Sequence, residues 1–355
     1  MDLLKPTNLA LGSNYKRLNL ILNFLVFGAG AIGSHIGYCA HRAGHSVSLV
    51  CRGNHLEAIR KNGLKISIFS NDIKESEKII SERTDFRVYD TAQAIQDENF
   101  DYIFICPKLT DYNASTLEQL QHLMGDNTAV VPPCTNLPFW WFYNLPPDQR
   151  QQFNNIDFMP DIGKFFIKEN IICVTQWLSA VIEDPGETII KHVQRGYPLS
   201  ALYPKMSEKA SLLRQIFTKT CKSPIVDDIR SEIFIKAINS FAFNLVAISK
   251  EYNNYELNQD RPSKESVAKI MHEGDQILET LNIPIIQSVD SRISQTLSST
   301  KHTMSMLHAF LQRRPIELEH QWESFLKVSK ILDLDMPYTR KIYNSVKKKI
   351  GSVYN

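Results

Sequence analysis

Leu22-Asn23-Phe24-Leu25-Val26-Phe27-Gly28-Ala29-Gly30-Ala31-Ile32-Gly33 is the stretch on which the fold turns. Its first six residues are nearly all apolar and run straight into glycine, the pattern of a short strand buried on both faces. The glycines fall in a Gly-x-Gly-x-x-Gly spacing, and an amphipathic run over residues 32–43, closed by Gly44, reads as a helix. Each glycine has a separate task in such a unit. Gly28 allows a tight turn, Gly30 lets a pyrophosphate approach the backbone, and Gly33 lets the helix pack close to the strand. Ala29, Ala31 and Ile32 complete a turn whose helix N-terminus faces the phosphates. The six residues alone also suit a plain tight turn; the strand-turn-helix context favours dinucleotide binding.

Working outward, the same alternation continues. Ser46–Val50 reads as a second strand, residues 56–61 as a helix stopped at Gly63, and residues 102–106 as a further strand. A helix over about residues 114–124 and a strand at 128–131 follow, which together predict a Rossmann-type doubly wound sheet. Residues 171–174 and 188–192 look like strands, with Pro185-Gly186 a turn between them. Beyond about Asp228 glycine almost disappears and helical periodicity takes over, at residues 229–250, 264–281, 293–311, 317–332 and 338–350. The expected organisation is an extension over 1–19, a dinucleotide-binding α/β domain over 20–225 and an all-helical domain over 226–355.

The 355 residues are 22% charged and 43% hydrophobic, enough for a sizeable core, which excludes a disordered or fibrous chain. Lys and Arg number 40 against 38 Asp and Glu, a balance of +2 that argues against nucleic acid or an acidic membrane as partner and for a small molecule. Six cysteines (39, 51, 106, 134, 173 and 221) lie far apart with no Cys-x-x-Cys pair, so they read as buried free thiols of a reducing, cytoplasmic compartment. No apolar run reaches the ~18 residues needed to span a bilayer. No His-Glu-x-x-His or Gly-x-Ser-x-Gly occurs, so neither a metal site nor a serine nucleophile is expected.

The end of the second strand bears on the cofactor. An enzyme for NAD usually carries an acid there to hold the ribose 2′-hydroxyl. Here the chain reads Val50-Cys51-Arg52-Gly53-Asn54. A guanidinium at Arg52 suits the 2′-phosphate of NADP, a contact that a carboxylate would oppose. The plainer alternative is a solvated loop arginine.

Residues 233–248 are apolar around most of a helix circumference, so that helix should be buried on nearly every side. Its polar residues are not scattered. Lys236, Ser240 and Asn244 fall at successive i to i+4 steps with Asn239 beside them, on one face. A narrow solvent-facing strip is one reading. One amine, one hydroxyl and two amides suit better a cleft that hydrogen-bonds a ligand, with a desolvated Lys whose lowered pKa makes it a proton donor.

Taken together, the glycine turn with Arg52 behind it, Lys108 just past Cys106, Asn136 past Val130-Val131, the Lys236 helix, and Ser305-Met306-Leu307 followed by Glu317 resemble the ketopantoate reductases (2-dehydropantoate 2-reductases). The similarity runs from about Asn23 to Lys347 with the motifs in the family's order. It implies a catalytic pair. Lys236 would give a proton to the keto oxygen, and Glu317 would lie at the junction of cofactor and substrate. It further implies Lys108 on the cofactor, Asn136 touching both ligands, Asn244 and Asn254 on the substrate's oxygens with Ser240 in the same cleft, and Ser305 on its carboxylate. For Lys108 and Glu317 the bland alternatives are a strand-end lysine and a first-turn helix glutamate favoured by the dipole.

The chain departs from the family at three places. Ser240 takes a position where an Asn is usual, with Asn239 one residue early. Leu137-Pro138 follows Asn136 where Gly is usual, close to an Asn-Gly-Ile-Pro-Trp-Trp variant within the family. Pro198-Leu199-Ser200-Ala201 lacks a Gly-Glu-Pro signature. A serine reaches less far than an amide, which bears on the substrate's identity more than on the reaction. The expected function is NADPH-dependent reduction of 2-dehydropantoate to (R)-pantoate in the route to pantothenate and coenzyme A. The alternatives are reduction of another small 2-oxo acid, or an NADP-binding regulatory protein without turnover. A homodimer is left open.

Overall fold

The structure, a computed structural model, describes residues 20–354 except 71–72, 80–84, 97, 109–110, 154–162 and 298–302. The extension read over 1–19 lies outside the described residues. The front of the chain runs β1 (Asn23–Phe27), α1 (Ala31–Arg42), β2 (Ser46–Val50), α2 (Gly53–Asn62), β3 (Leu64–Ser70), β4 (Ile73–Ile79), β5 (Phe86–Tyr89), β6 (Tyr102–Ile105), α3 (Ala114–Glu118), β7 (Ala129–Val131), β8 (Pro133–Cys134) and α4 (Pro147–Gln152). Next come β9 (Ile172–Thr175), β10 (Trp177–Asp184), β11 (Glu187–Gly196), β12 (Leu199–Ala201) and α5 (Ser207–Thr218).

Five of these strands form a parallel sheet in the order β5-β2-β1-β6-β7. The strand order reverses at β1, which pairs with β2 on one side and β6 on the other, so the carboxyl ends of β1 and β6 flank the crevice where open α/β sheets take their ligands. Alternation along β1 divides its residues between two cores. Phe24 and Val26 pack with the α1 and α5 side, whereas Leu25 and Phe27 join a cluster that includes Trp140, Trp141 and the C-terminal helices. That second cluster runs without a break from the sheet to Val346, so the helical half is packed onto the sheet rather than standing apart.

The helical half holds α6 (Ile229–Lys250), α7 (Asn254–Gln259), α8 (Arg261–Thr280), α9 (Val289–Leu297), α10 (Ser305–Leu311), α11 (Leu318–Ile331) and α12 (Pro337–Tyr354). α6 has the predicted bounds for identifiable reasons. Asp228 caps its start by accepting from the Arg230 amide at 2.9 Å, and Glu251 closes it in the left-handed region at φ 58°. It packs against α8, α10, α11, α12 and β9. Among the described residues it is the one helix long and apolar enough to cross a membrane, and 89% of that window is buried inside the fold.

Several expectations need correction. Pro185-Gly186 joins β10 to β11 in an antiparallel hairpin, with Gly186 at φ +81°, and does not link the strand at 171–174 to the next. β10 itself went unread because Glu183 and Asp184 extend it past its apolar part. β3 and β4 pair antiparallel, and β4 (Ile-Lys-Glu-Ser-Glu-Lys-Ile) is too charged to show as an apolar run. The helix read at 114–124 is α3, capped by Asn113, followed by a tighter turn at Gln121–Leu123. The helix read at 293–311 is two, α9 and α10, with 298–302 outside the described residues. A continuous helix would bond the Met306 amide internally, but Asn244 Oδ1 accepts from it at 3.0 Å. All six cysteines are free, though Cys106 and Cys221 are only half-buried.

Candidate active site and dinucleotide cradle

The three glycines of the turn after β1 are held for different reasons. Gly28 sits at φ +87°, and a Cβ there would come 2.8 Å from Pro107 Cδ. At Gly33 a Cβ would lie 2.5 Å from the Gly28 carbonyl oxygen, so the helix could not close on the strand. Gly30 meets nothing within 4 Å. Nothing in the protein itself requires Gly30; open space over the backbone is what an approaching phosphate requires. The Gly28 and Ala29 amides donate to Val50 O at 3.0 and 2.8 Å, tying the turn to the end of β2. The N-terminus of α1 has neither a side-chain cap nor an acid in its first turn, and Ala31 and Ile32 stay partly accessible there. The cradle therefore fits a dinucleotide's phosphates.

Arg52 lies two residues past the end of β2, is exposed, and makes no ion pair with a described residue. α2 carries no acid in its first turn, so nothing there would repel a phosphate.

Two contacts fasten the start of α11 to the loops above the sheet. Lys108 Nζ lies 3.3 Å from Glu317 Oε1. One helical turn further along, Gln321 Nε2 donates to Asn136 Oδ1, and both residues are buried. The Asn136 turn is fixed in its own right, because Trp141 Nε1 donates to Arg230 O at 2.9 Å and its ring packs on Phe234. Gln321 was missed in the sequence reading. The signal was available: it interrupts the buried stripe Leu318, Trp322, Phe325 and Val328, as Lys236 interrupts that of α6.

Lys236 is half-buried on α6, and its burial lowers the ammonium from 10.5 to about 8. Its Nζ stands 5.0 Å from the centre of the Trp177 ring and has no carboxylate partner among the described residues. Glu232, one turn earlier, is buried and paired instead with Arg195. On the other side of Lys236, Ser240 O and Oγ accept from Asn244 Nδ2 at 2.7 and 3.4 Å. With its Oδ1 on the Met306 amide, the Asn244 side chain is engaged by the protein at both ends. It thereby anchors α10, whose first residue, Ser305, is exposed. Asn254, fully buried, donates to Thr296 O at 3.3 Å, toward α9. Asn239 is buried with its Oδ1 unbonded. The structure thus joins Lys108 with Glu317, sets Lys236, Ser240 and Asn244 along one face of α6, and ties Asn244 to the start of α10 next to Ser305, while Asn254 belongs to the α9 contact. Among the described residues no three His, Cys, Asp or Glu stand together as a metal set would.

Residues 24–133 match the model of ketopantoate reductase PanE/ApbA, and residues 228–350 match that of its C-terminal region. The chain belongs to the ketopantoate reductase family. Members of this family are NAD(P)-dependent oxidoreductases acting on a small keto acid, and the chain is an oxidoreductase of that kind. A 2-dehydropantoate 2-reductase from Mesorhizobium japonicum is 27% identical over 320 residues, covering 89% of this chain and 94% of the relative. One from Pyrococcus horikoshii is 22% identical over 334 residues, covering 92% and 97%. Among solved structures, a 2-dehydropantoate 2-reductase from Methylococcus capsulatus has a TM-score of 0.71 at 19% identity, covering 94% of this chain and 98% of that one. A D-mandelate dehydrogenase with NADH and anilino(oxo)acetate has a TM-score of 0.73 at 20% identity, covering 94% and 99%. These two share the fold. On this fold the glycine turn and Arg52 lie at the sheet, Lys236 and Ser305 on the helices, and Glu317 at the start of α11 beside the loop after β6.

Proposed function

We propose that the chain reduces 2-dehydropantoate to (R)-pantoate with NADPH, in the route to pantothenate and coenzyme A. The observation that carries the reading is Lys236, a desolvated amine with no carboxylate among the described residues to neutralise it, on a face otherwise made of hydroxyl and amide groups. NADPH, held on the glycine turn, supplies the hydride. Lys236 Nζ gives its proton to the keto oxygen as negative charge develops there, and the neutral groups around it leave its charge intact. Ser305 at the start of α10 holds the substrate carboxylate, and Asn136 and Ser240 order its remaining oxygens, while Asn244 fixes the start of α10. Glu317, tethered by Lys108, holds the junction of the two ligands. Arg52 pairs with the 2′-phosphate, and its lack of an acidic partner among the described residues supports NADP over NAD. Six free thiols fit a reducing, cytoplasmic setting.

Ser240 favours a second reading, another small 2-oxo acid, because the shorter side chain leaves room beside Lys236 while Trp177 offers an aromatic wall. The likeness in fold to a D-mandelate dehydrogenase keeps aryl 2-oxo acids in view. NADPH oxidation followed with ketopantoate, benzoylformate and branched aliphatic keto acids separates the readings. A kcat/KM highest for ketopantoate is expected, and a clear preference for another acid moves the assignment there. Silence with all of them leaves an NADP-binding regulator. Tighter binding of NADH than NADPH, or equal binding in Arg52→Ala, would overturn the cofactor assignment.

A further inference from the structure

Gln321 is costly where it stands. It is 2% exposed on the face of α11 that also buries Leu318, Trp322 and Phe325, a place where an apolar side chain would lose no hydrogen bonds to water. One of its two amide protons goes to Asn136 Oδ1, a partner 185 positions away in sequence, and its own Oε1 is buried without a hydrogen bond. Such a half-satisfied amide contributes little to folding, and a leucine would fill the stripe at less expense. Its effect on Asn136 is specific. The bond pins the Asn136 side chain to α11, and the rest of its amide's hydrogen-bonding capacity is left to offer a ligand.

We infer that Gln321 is a positioning residue that holds the Asn136 side chain in place, so that the turn after β8 presents its amide to the bound ligands. The inference rests on the proposed place of Asn136 at the meeting of cofactor and substrate. It also gives α11 a second task beside Glu317. The same first turns of the helix set both a carboxylate and, through Gln321, the Asn136 amide at that junction.

A double-mutant cycle over Asn136→Ala and Gln321→Leu tests it, read as the NADPH dissociation constant by nicotinamide fluorescence and as kcat/KM for whichever keto acid the wild type reduces. Gln321→Leu should weaken both by about tenfold, the scale of one lost polar contact, and should add nothing in the Asn136→Ala background. Its melting temperature should stay at or above that of the wild type. Gln321→Met, matched in length, guards against a leucine that misfits, and should behave alike. Additive losses in the cycle, or wild-type binding in both single variants, would overturn the inference. If the wild type reduces no keto acid, the proposed reaction fails, and the NADPH cycle still decides the role of Gln321.

Discussion

Lys108 Nζ stands 3.3 Å from Glu317 Oε1 and ties the loop after β6 to the start of α11. The lysine is 64% exposed and the glutamate 16%, so the pair adds little to stability, within about 1 kcal/mol. Its consequence is placement. Lys108→Ala should leave the unfolding midpoint nearly unchanged while weakening NADPH binding by roughly tenfold, the scale of a charge-assisted contact. A variant with wild-type affinity would return Lys108 to an ordinary strand-end lysine.

Lys236 sets a pH dependence with a definite sign. Burial lowers its ammonium to about 8, so the proton needed for reduction is present below that value and lost above it. kcat/KM for keto acid reduction should be level below about pH 8 and fall about tenfold per unit above it. Oxidation of the hydroxy acid should show the opposite slope, since it needs the free amine. A flat profile across this range, or a folded Lys236→Ala that keeps more than about one hundredth of the rate, excludes the assignment.

The glycine turn separates folding from binding. Gly33→Ala drives a methyl against the Gly28 carbonyl and should destabilise the fold, with a visibly lowered melting temperature. Gly30→Ala meets only open space and should melt like the wild type while losing most of its NADPH affinity. Undiminished affinity in Gly30→Ala would place the phosphates elsewhere.

Asn244 links Lys236's face to the start of α10, the proposed carboxylate site, through Ser240 and the Met306 amide. Asn244→Ala should cost about 1–3 kcal/mol in urea unfolding and raise the substrate KM by releasing the start of α10. Ser305→Ala should raise KM alone. Equal KM values in both variants and the wild type would remove Ser305 from the site.

Arg292, fully buried, grips Asp275 with both terminal nitrogens between α9 and α8. Burial pushes the Asp275 carboxyl up, and Arg292 offsets only part of that rise. Arg292→Met removes that pull and should cost about 3–5 kcal/mol. With its folded-state pKa raised further, Asp275 favours folding only when protonated, so the loss should be smaller at about pH 5 than at about pH 8. Urea titrations at the two values check the sign, and a loss independent of pH would mean that Asp275 had found another partner.

The strand-glycine-helix unit, the parallel sheet and α6 were legible because each rests on local rules: apolar runs, turn glycines and capping by Asp228. β4 was hidden by its charges and the α9–α10 break by an apolar period that continues across it, since no local rule sees a side chain such as Asn244 capturing a distant amide. The site divides the same way. Residue types at Arg52 and Lys236 suggested their proposed chemistry in sequence, for an unopposed guanidinium and a lone amine in an apolar helix are conspicuous one position at a time, whereas Ser305 entered through the family resemblance. Gln321 beside Asn136, Glu317 beside Lys108 and Trp177 beneath Lys236 could come only from the tertiary structure. Each is a contact between segments far apart in the chain, and what a buried polar group does depends on which atom the packing sets against it.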